Sequence, residues 1–457
     1  MKRFLALLLT LAMMLGSAAL AEDKVVLTLG IYPEDVDTAA VDSHDNSYIP
    51  AMAELMPNVE IVKAHYKYAT DTFVALAESG SIPTVFETWY TEPQKLIKGG
   101  FVKDITDELT ELGWLEKMNP SVRALLSDEN GRVYGTPRDG YALGLMINAE
   151  VFEDAGLVDE EGLPLFPKTW DELIETGKVI KEKTGSAALC LLAQDNAGGW
   201  HFSNIAWTFG AVLEAQDESG KWTAQLNTPE VLEAMQMVRR MVEEGILTSD
   251  PTSENWGTGF AQLGTGAAAM YIAANDAVNQ PTAVNGLPVD KLMMVGIPAG
   301  SARSYSLSGG TPYMFAASAT HEEVMAALKY LEIMGKAPIV TDASKAGLVA
   351  DAEYRVGAGI PVIPDFPAWV DEAFSAAKAE VIAKYSNVDS RMFQHYFDAV
   401  SSEGNLKMEE PQMTQEMYAE LTKVLQAVCT EENPDIQALL DTANANLQQI
   451  LDEKVNQ

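Results

Sequence analysis

Short apolar runs that alternate with amphipathic helices constrain the fold of this chain more than any other feature. Residues 25–31 and 83–87 show little polar alternation, which is typical of strands buried on both faces of a sheet. Residues 72–80 lie between them and have the pattern of a helix that ends at a glycine. Five further strand candidates are residues 141–147, 187–192, 267–272, 292–297 and 313–317. This alternation predicts an α/β fold with mostly parallel sheets.

Four helix starts after residue 168 carry clear capping signals. Thr169 and Thr320 are each followed three residues later by glutamate, which is the pattern of a capping box. Pro229 and Pro434 follow Thr and Asn, respectively, and each predicts the first turn of another helix. The chain contains no internal repeat and no linker rich in Pro, Gly and Ser, so two lobes would be joined by more than one crossing.

The N-terminus has the organisation of a secretory signal peptide. Lys2 and Arg3 precede an apolar run over residues 4–15, and Ala19 and Ala21 give the small-residue cleavage pattern. We therefore expect cleavage after Ala21 and export to the periplasm or the cell exterior. The alternative, a retained membrane anchor, is disfavoured because the run is short for a bilayer span. No cysteine follows the apolar core, so a lipoprotein anchor is not expected.

Net charge and cysteine content exclude several classes of function. The formal net charge of −35 would repel nucleic acid and anionic membranes. The two cysteines, Cys190 and Cys429, lie in apolar contexts and are expected to be small core residues and not a disulfide. With five scattered histidines they offer no clustered metal ligands, and no metal or cofactor is predicted. A chain of this length exceeds a single core and favours two lobes.

Five segments, taken in order, resemble one known family. They are residues 77–85 (Ala-Glu-Ser-Gly-Ser-Ile-Pro-Thr-Val), 99–107, 131–148, 167–173 (Pro-Lys-Thr-Trp-Asp-Glu-Leu) and 260–272. Together they are similar to the extracellular solute-binding proteins that feed ABC importers, in the large sugar-binding branch. Each motif is weak alone, and Thr84 stands where the family usually has Asp. Their order over more than two hundred residues makes the resemblance specific.

The resemblance implies a two-lobe α/β fold of the periplasmic-binding-protein type II, with a hinge and an interlobe cleft. It places the first lobe at residues 22–138 and 306–336, and the second lobe at residues 139–305 and 337–457. The chain would cross the hinge near residues 137–139, return near 305–310 and leave again after 335. It implies a monomeric, non-enzymatic protein that binds a small molecule, in this branch a carbohydrate, and presents it to an ABC permease.

Candidate ligand contacts follow from the rule that ligands bind beyond the carboxyl ends of the strands of an open α/β sheet. The candidates are Tyr32, Trp89, Tyr90, Arg138, Asp139, Tyr141, Trp200, His201, Trp256, Asn275, Asp276 and Tyr305. Aromatic faces would stack on the C–H face of a sugar, and planar polar groups would bind its hydroxyls. Trp89 and Trp200 are expected to clamp the ligand from opposite lobes.

Structural roles compete with ligand contact at several of these positions. The tyrosines at strand ends could only seal a lobe, Arg138 and Asp139 could form a hinge ion pair, and Asn275 could cap a helix. Trp114, Trp170 and Trp207 lie in helical patterns and are expected in the core.

Other functions remain open at the level of sequence. The same fold could bind a peptide, a polyamine or an osmolyte, because paired aromatic rings can also enclose a cation. A secreted glycan hydrolase would need two opposed carboxylates, and no catalytic sequence motif is present. A surface adhesin would need repeats or anchoring sequences, and none is found.

Overall fold

The computed structural model describes residues 24–35, 37–70, 72–402 and 404–457. The predicted signal peptide at residues 1–21 lies outside the described residues. Within the described ranges, no helix combines the length and the apolar character needed to cross a bilayer.

The described chain forms thirteen strands and seventeen α-helices in alternation. The strands are β1 (Val25–Leu29), β2 (Val59–Lys63), β3 (Val85–Glu87), β4 (Gly135–Pro137), β5 (Tyr141–Asn148), β6 (Ala187–Cys190), β7 (Glu214–Gln216), β8 (Trp222–Ala224), β9 (Ala268–Ala274), β10 (Leu292–Val295), β11 (Ser306–Gly309), β12 (Pro312–Phe315) and β13 (Leu406–Met408). The helices are α1 (Thr38–Ser43), α2 (Ile49–Leu55), α3 (Phe73–Glu78), α4 (Pro93–Lys98), α5 (Thr106–Glu111), α6 (Pro120–Leu125), α7 (Ala149–Asp154), α8 (Trp170–Thr184), α9 (Asp195–Thr208), α10 (Pro229–Glu243), α11 (Trp256–Gly264), α12 (His321–Ile333), α13 (Asp342–Gly357), α14 (Glu372–Tyr385), α15 (Arg391–Ser401), α16 (Thr414–Thr430) and α17 (Ile436–Lys454).

The first lobe is built on a five-stranded sheet with the order β2-β1-β3-β12-β4. β1 runs parallel to β2 and β3, while β12 runs antiparallel to β3 and β4. Leu27, Phe86 and Met314 are fully buried in its core. The strands expected at residues 25–31, 83–87 and 313–317 are therefore confirmed, whereas β2 was missed because this edge strand is mostly exposed.

The second lobe is built on a six-stranded sheet with the order β13-β11-β5-β9-β6, in which β10 also pairs with β5. A small separate hairpin is formed by β7 and β8. The core of this lobe is a second, distinct hydrophobic cluster that includes Leu145, Ile272 and Leu425. Two lobes with separate cores are thus confirmed, as are the strands expected at residues 141–147, 187–192, 267–272 and 292–297.

The sheets are mixed, which corrects the expectation of mostly parallel strands. β5 runs antiparallel to β9, β10 and β11. The reason is topological: β5 enters the second lobe directly from the hinge, so it starts at the edge where parallel strands would end. β12 enters the first lobe from the hinge in the same way and is antiparallel to β3 for the same reason.

Two short connections join the lobes side by side. Residues 138–140 link β4 to β5, and residues 310–311 link β11 to β12. The backbone N–H of Arg138 donates to the carbonyl of Thr311 at 2.9 Å, so the two crossings are bonded to each other. Gly310 has a φ of +152°, and a Cβ there would lie 2.6 Å from the Tyr90 ring. Only glycine fits this crossing.

The lobe boundaries differ in two places from those expected from sequence. Ser306–Gly309, assigned above to the first lobe, forms β11, which pairs with β5, and Leu307 lies in the second core. The chain after residue 336 was assigned wholly to the second lobe, but Trp369 and Phe374 pack in the first core. The chain after residue 336 therefore contacts both lobes, and Phe366 packs against the hinge at Gly140.

Local predictions on caps and core residues are largely confirmed. Thr320 forms a complete capping box with Glu323. Thr169 accepts from the N–H of Glu172, but the Glu172 carboxylate instead accepts from the N–H of Lys168, so that box is half formed. The three tryptophans expected in the core are buried there, each at most 2% exposed: Trp114, Trp170 and Trp207. Both cysteines are unpaired.

Candidate functional site

The carboxyl-end edges of the two sheets face each other across the hinge. Pro137 pairs with Pro312 at the hinge edge of the first sheet, and Tyr141 pairs with Gly309 at the hinge edge of the second. Because connections of only two or three residues join these edges, the segments that follow β1, β3, β6, β9 and β13 gather around one cleft. This is the position that an open α/β sheet gives to a ligand.

Three aromatic side chains form one surface on the second lobe, here called the second-lobe wall (Tyr141, Trp200 and Trp256). The Trp200 ring packs edge-on against Trp256 at 5.3 Å and against Tyr141 at 6.0 Å between centroids. All three rings are only partly buried. Trp256 packs further against the buried ring of Phe260 at 4.7 Å, which anchors the wall in the core. Such edge-to-face arrangements are the favoured geometry of aromatic pairs.

A single indole faces this region from the first lobe. Trp89 lies two residues after the end of β3 and is 41% exposed, which is unusual for tryptophan. Its ring has an edge contact with Tyr68 at 5.6 Å. A hydrogen bond fixes the position of Tyr68, because its hydroxyl donates to the buried Glu92 carboxylate at 2.6 Å. The structure thus brings Trp89 and Trp200 to the facing edges of opposite lobes.

Two carboxylates line the second-lobe side of the cleft. The side chain of Asp276 is open to solvent, yet protein on several sides and the Asp139 carboxylate raise its pKa to about 7. Burial raises the pKa of Glu409 to about 7, and the hydroxyl of Tyr418, which donates to it at 2.9 Å, opposes that rise. Near neutral pH these groups can therefore either donate or accept a hydrogen bond.

Arg138, Asp139 and Tyr90 serve the hinge. The Arg138 guanidinium donates to Asp139 at 2.6 Å and to Glu87 at 2.9 Å. The other oxygen of Asp139 accepts from the N–H of Thr311 on the second crossing at 3.0 Å. Tyr90 is buried, and its hydroxyl donates to the carbonyl of Asp139 at 3.1 Å. The structure therefore supports the hinge ion pair over ligand contact at these positions.

Tyr32 is occupied by contacts inside the first lobe. Its hydroxyl donates to Asp45 at 3.1 Å, and Lys63 lies over its ring at 4.7 Å from the centroid. His44 and His65 each approach the ring at 5.5 Å, and the side chain is 7% exposed. These contacts are those of a tyrosine that seals the edge of a lobe.

Three further candidates lie away from the cleft surface. His201 is fully buried with neither ring nitrogen hydrogen-bonded, and burial lowers its pKa to about 3. Asn275 is buried, and its side-chain oxygen accepts from the N–H of Ala142 at 3.1 Å, which ties β9 to β5. Tyr305 precedes β11 at the end farthest from the hinge, under the guanidinium of Arg303.

Sequence reasoning missed Glu409, Tyr68 and Tyr418. Glu409 follows β13, a three-residue strand with no buried residue and hence no apolar signal. Tyr68 lies in an irregular segment after β2, and Tyr418 lies on α16 beside core residues. Recognition of β2 as an edge strand would have pointed to the segment that contains Tyr68.

The sequence of this chain also matches a known protein family. Residues 56–337, more than half of the chain, match the family described as bacterial extracellular solute-binding protein. The chain belongs to this family. The resemblance inferred from the five sequence segments is therefore confirmed.

Two relatives of this solute-binding protein are named for the carbohydrates that they bind. It is 26% identical over 234 residues to the lactose-binding protein of Rhizobium radiobacter. The matched region covers 48% of this chain and 53% of the relative. It is 27% identical over 217 residues to the diacetylchitobiose binding protein of Streptomyces coelicolor. This match covers 45% of this chain and 47% of the relative. The chain thus spans about half the length of the curated relatives it matches.

Solved structures show the same fold over nearly the whole chain. The GacH receptor of Streptomyces glaucescens, solved unliganded and with acarbose, superposes with a TM-score of 0.69 at 18% identity. The superposition covers 94% of this solute-binding protein and 98% of the receptor. The two-lobe architecture with a hinge and an interlobe cleft is therefore that of the periplasmic binding proteins.

Proposed function

We propose that this solute-binding protein binds a sugar or oligosaccharide between its lobes and, by hinge closure, presents it to the permease of an ABC importer. The observation that carries the proposal is the pair of opposed aromatic surfaces: the exposed Trp89 on the first lobe and the second-lobe wall on the other. A pyranose offers an apolar C–H face to such rings, while its hydroxyls require polar partners. Asp276 and Glu409 provide these partners on the second-lobe side.

The proposed ligand contacts are Trp89, Tyr141, Trp200, Trp256 and Asp276, with Glu409 added. Closure follows if the ligand touches both lobes, because it then binds the closed conformation more tightly and shifts the population toward it. We further propose that the protein is exported after cleavage at Ala21, acts as a monomer and performs no chemical step on its ligand.

A thermal-shift panel tests the ligand class. Maltose, lactose and diacetylchitobiose are added separately, and a sugar that binds only the folded state should raise the melting temperature in proportion to the logarithm of its concentration. Small-angle scattering with the best sugar should then show a smaller radius of gyration. Product analysis after long incubation distinguishes binding from hydrolysis. No shift with any saccharide would contradict the ligand class.

A cationic ligand is the second candidate, and the carboxylates favour it. Aromatic rings together with Asp276 and Glu409 would also suit a polyamine or a quaternary ammonium group. Spermidine and choline therefore belong in the same panel. Stabilisation by spermidine or choline that weakens steeply with added salt, without stabilisation by any sugar, would favour this candidate.

A further inference from the structure

One glutamine near the start of α16 is bonded to both lobes. Nε2 of Gln415 donates to the hydroxyl of Thr91 on the first lobe at 3.3 Å. Nδ2 of Asn196, at the start of α9 in the second lobe, donates both to Oε1 and to the backbone carbonyl of Gln415, each at 3.0 Å. Gln415 thus uses its side-chain donor on one lobe and its acceptors on the other.

The partners of Gln415 belong to the segments that carry the two ligand surfaces. Thr91 lies two residues after Trp89, in the same loop that follows β3. Asn196 lies about one helical turn before Trp200 on α9. A hydrogen-bonded chain from Thr91 through Gln415 to Asn196 therefore connects the loop of one aromatic surface with the helix of the other.

Backbone conformation at this point is unusual. Two non-glycine residues in the described ranges have positive φ, Asp195 at 49° and Met413 at 44°. They stand immediately before Asn196 and two residues before Gln415. Left-handed backbone is unfavourable for a side chain such as that of methionine, and such residues concentrate at functional sites. Thr422 on α16 fixes one of them, because its hydroxyl donates to the carbonyl of Asp195 at 2.7 Å.

A second contact between the lobes lies beside the first. The ammonium of Lys95, on α4 of the first lobe, is 3.8 Å from the Glu416 carboxylate and 3.7 Å from Glu92. Both distances are at the long end of the ion-pair range, and Lys95 and Glu416 are partly exposed, so this ion pair should add little to the hydrogen bonds of Gln415.

We propose that Gln415 is a positioning residue: it stabilises the closed conformation and aligns Trp89 with the second-lobe wall without touching the ligand. The proposal rests on the proposed function, because alignment of the two surfaces matters only if a ligand lies between them. The bond to Thr91 joins the two lobes, so its free energy favours conformations in which they lie together. Apparent affinity then scales with the fraction of molecules able to close.

The first test is affinity for the sugars that the wild type binds in the panel. Gln415→Ala should weaken each of them by roughly threefold to tenfold, as for one net hydrogen bond, without changing their order. Thr91→Val should have the same effect, whereas Thr91→Ser keeps the hydroxyl and should behave as wild type. Gln449→Ala on α17, an exposed glutamine that bonds only within its own helix, is the matched control. Wild-type affinity in both Gln415→Ala and Thr91→Val would overturn the proposal.

The second test requires no sugar. A Thr91→Cys/Gln415→Cys variant is treated with a short bis-maleimide, and peptide mapping identifies the bridge and excludes bridges to Cys190 or Cys429. We expect rapid intramolecular cross-linking, and little in the control pair Thr91→Cys/Gln449→Cys. Equal, slow cross-linking of both pairs would overturn the contact. If no sugar binds the wild type, the proposed ligand class fails while the cross-linking result still decides whether Gln415 joins the lobes.

Discussion

The two sides of the cleft are built differently. On the second lobe, Trp200 packs against both Tyr141 and Trp256, and Trp256 packs in turn against the buried rings of Phe260 and Tyr271. On the first lobe, Trp89 packs edge-on against Tyr68 and is 41% exposed. One side is therefore a fixed platform that forms part of a core, and the other is a single ring set on a loop.

On the first lobe, loss of the aromatic side chain should therefore affect ligand binding alone. On the second lobe, it should affect both ligand binding and the stability of the fold. Packed rings lose little conformational freedom when a ligand arrives, so the second-lobe wall is preorganised. The Trp89 side chain is 41% exposed and packs edge-on against Tyr68, so we expect a ligand to restrict it further at an entropic cost. We therefore expect the second lobe to bind first and the first lobe to close over the bound ligand.

Trp200→Ala is the substitution with the largest expected effect. It should weaken ligand binding by about 1–3 kcal/mol, the range that alanine substitution gives for rings stacked on nucleic-acid bases. It should also destabilise the protein by about 3 kcal/mol, because the cavity would lie between Trp256 and Tyr141. Calorimetric titration and thermal unfolding measure the two effects.

The control for that experiment is Trp222→Ala on β8. Trp222 is a half-buried tryptophan of the same lobe, in a hairpin outside the main sheet. Its removal should lower stability without changing affinity. Loss of affinity in both variants would mean that any damage to the second lobe impairs binding, and the wall would have no specific role.

Trp89→Ala sharpens the comparison, since it should affect binding only. We expect an affinity loss of about 1–2 kcal/mol and a change in stability within about 0.5 kcal/mol, as is usual for exposed positions. The same titration and unfolding measurements apply. A melting temperature that falls as far as that of Trp200→Ala would show that the first-lobe surface is also structural, and the contrast between the lobes would be lost.

Much of the fold was predictable from sequence because its strands and helices carry local signals. Runs such as residues 267–272 are apolar enough to show a buried strand, and Thr320 with Glu323 marks a helix start. The direction of β5 was not predictable in this way, because it depends on where the chain enters the lobe. The packing of residues 366–374 on the first lobe was likewise not predictable, because it depends on tertiary contacts and leaves no local pattern in the sequence.

The candidate site was predictable only in part. The rule that ligands bind after strand ends located Trp89, Tyr141 and Asp276, but it could not distinguish neighbours on one helix. His201 follows Trp200 directly, and the turn of about 100° per residue takes it from the cleft surface into the core. Gln415 could not be found, because its partner Thr91 is 324 residues away in the chain.

Glu214→Gln tests the pH response of one buried, incompletely bonded carboxylate in the second lobe. Buried carboxylates of the first lobe are bonded: Glu92 accepts from Tyr68, and Glu108 lies 2.9 Å from a ring nitrogen of His321. Glu214, in the second lobe, has one oxygen without a partner. Burial, with the Glu410 carboxylate nearby, raises the pKa of Glu214 to about 8, although the N–H of Gln412 donates to it.

The sign of the effect follows from that raised pKa. The native state keeps a proton that the unfolded state releases above a pH of about 4.5, so stability falls as the pH rises from there to about 8. Asp276 and Glu409, whose pKa values are also raised, contribute to the same fall. Glu214→Gln should therefore make the fall shallower and stabilise the protein by about 1–3 kcal/mol at pH 8, with little effect at pH 4.5. Unfolding by urea at several pH values measures it. A wild-type stability that does not decrease over this range would contradict the assignment.

Tyr32→Phe should have the smallest effect and tests whether the hydroxyl of this first-lobe tyrosine contacts the ligand. Its hydroxyl bonds only to Asp45 and Lys63 in the described structure, so its loss should cost about 1 kcal/mol of stability or less. Ligand affinity should stay within twofold of the wild type, because the ring and its packing remain. Tenfold weaker binding would place Tyr32 in the site beside Trp89, and the first lobe would then present a paired aromatic surface like that of the second. Unchanged binding would show that the Tyr32 hydroxyl makes no contact with the ligand and serves only its bonds to Asp45 and Lys63.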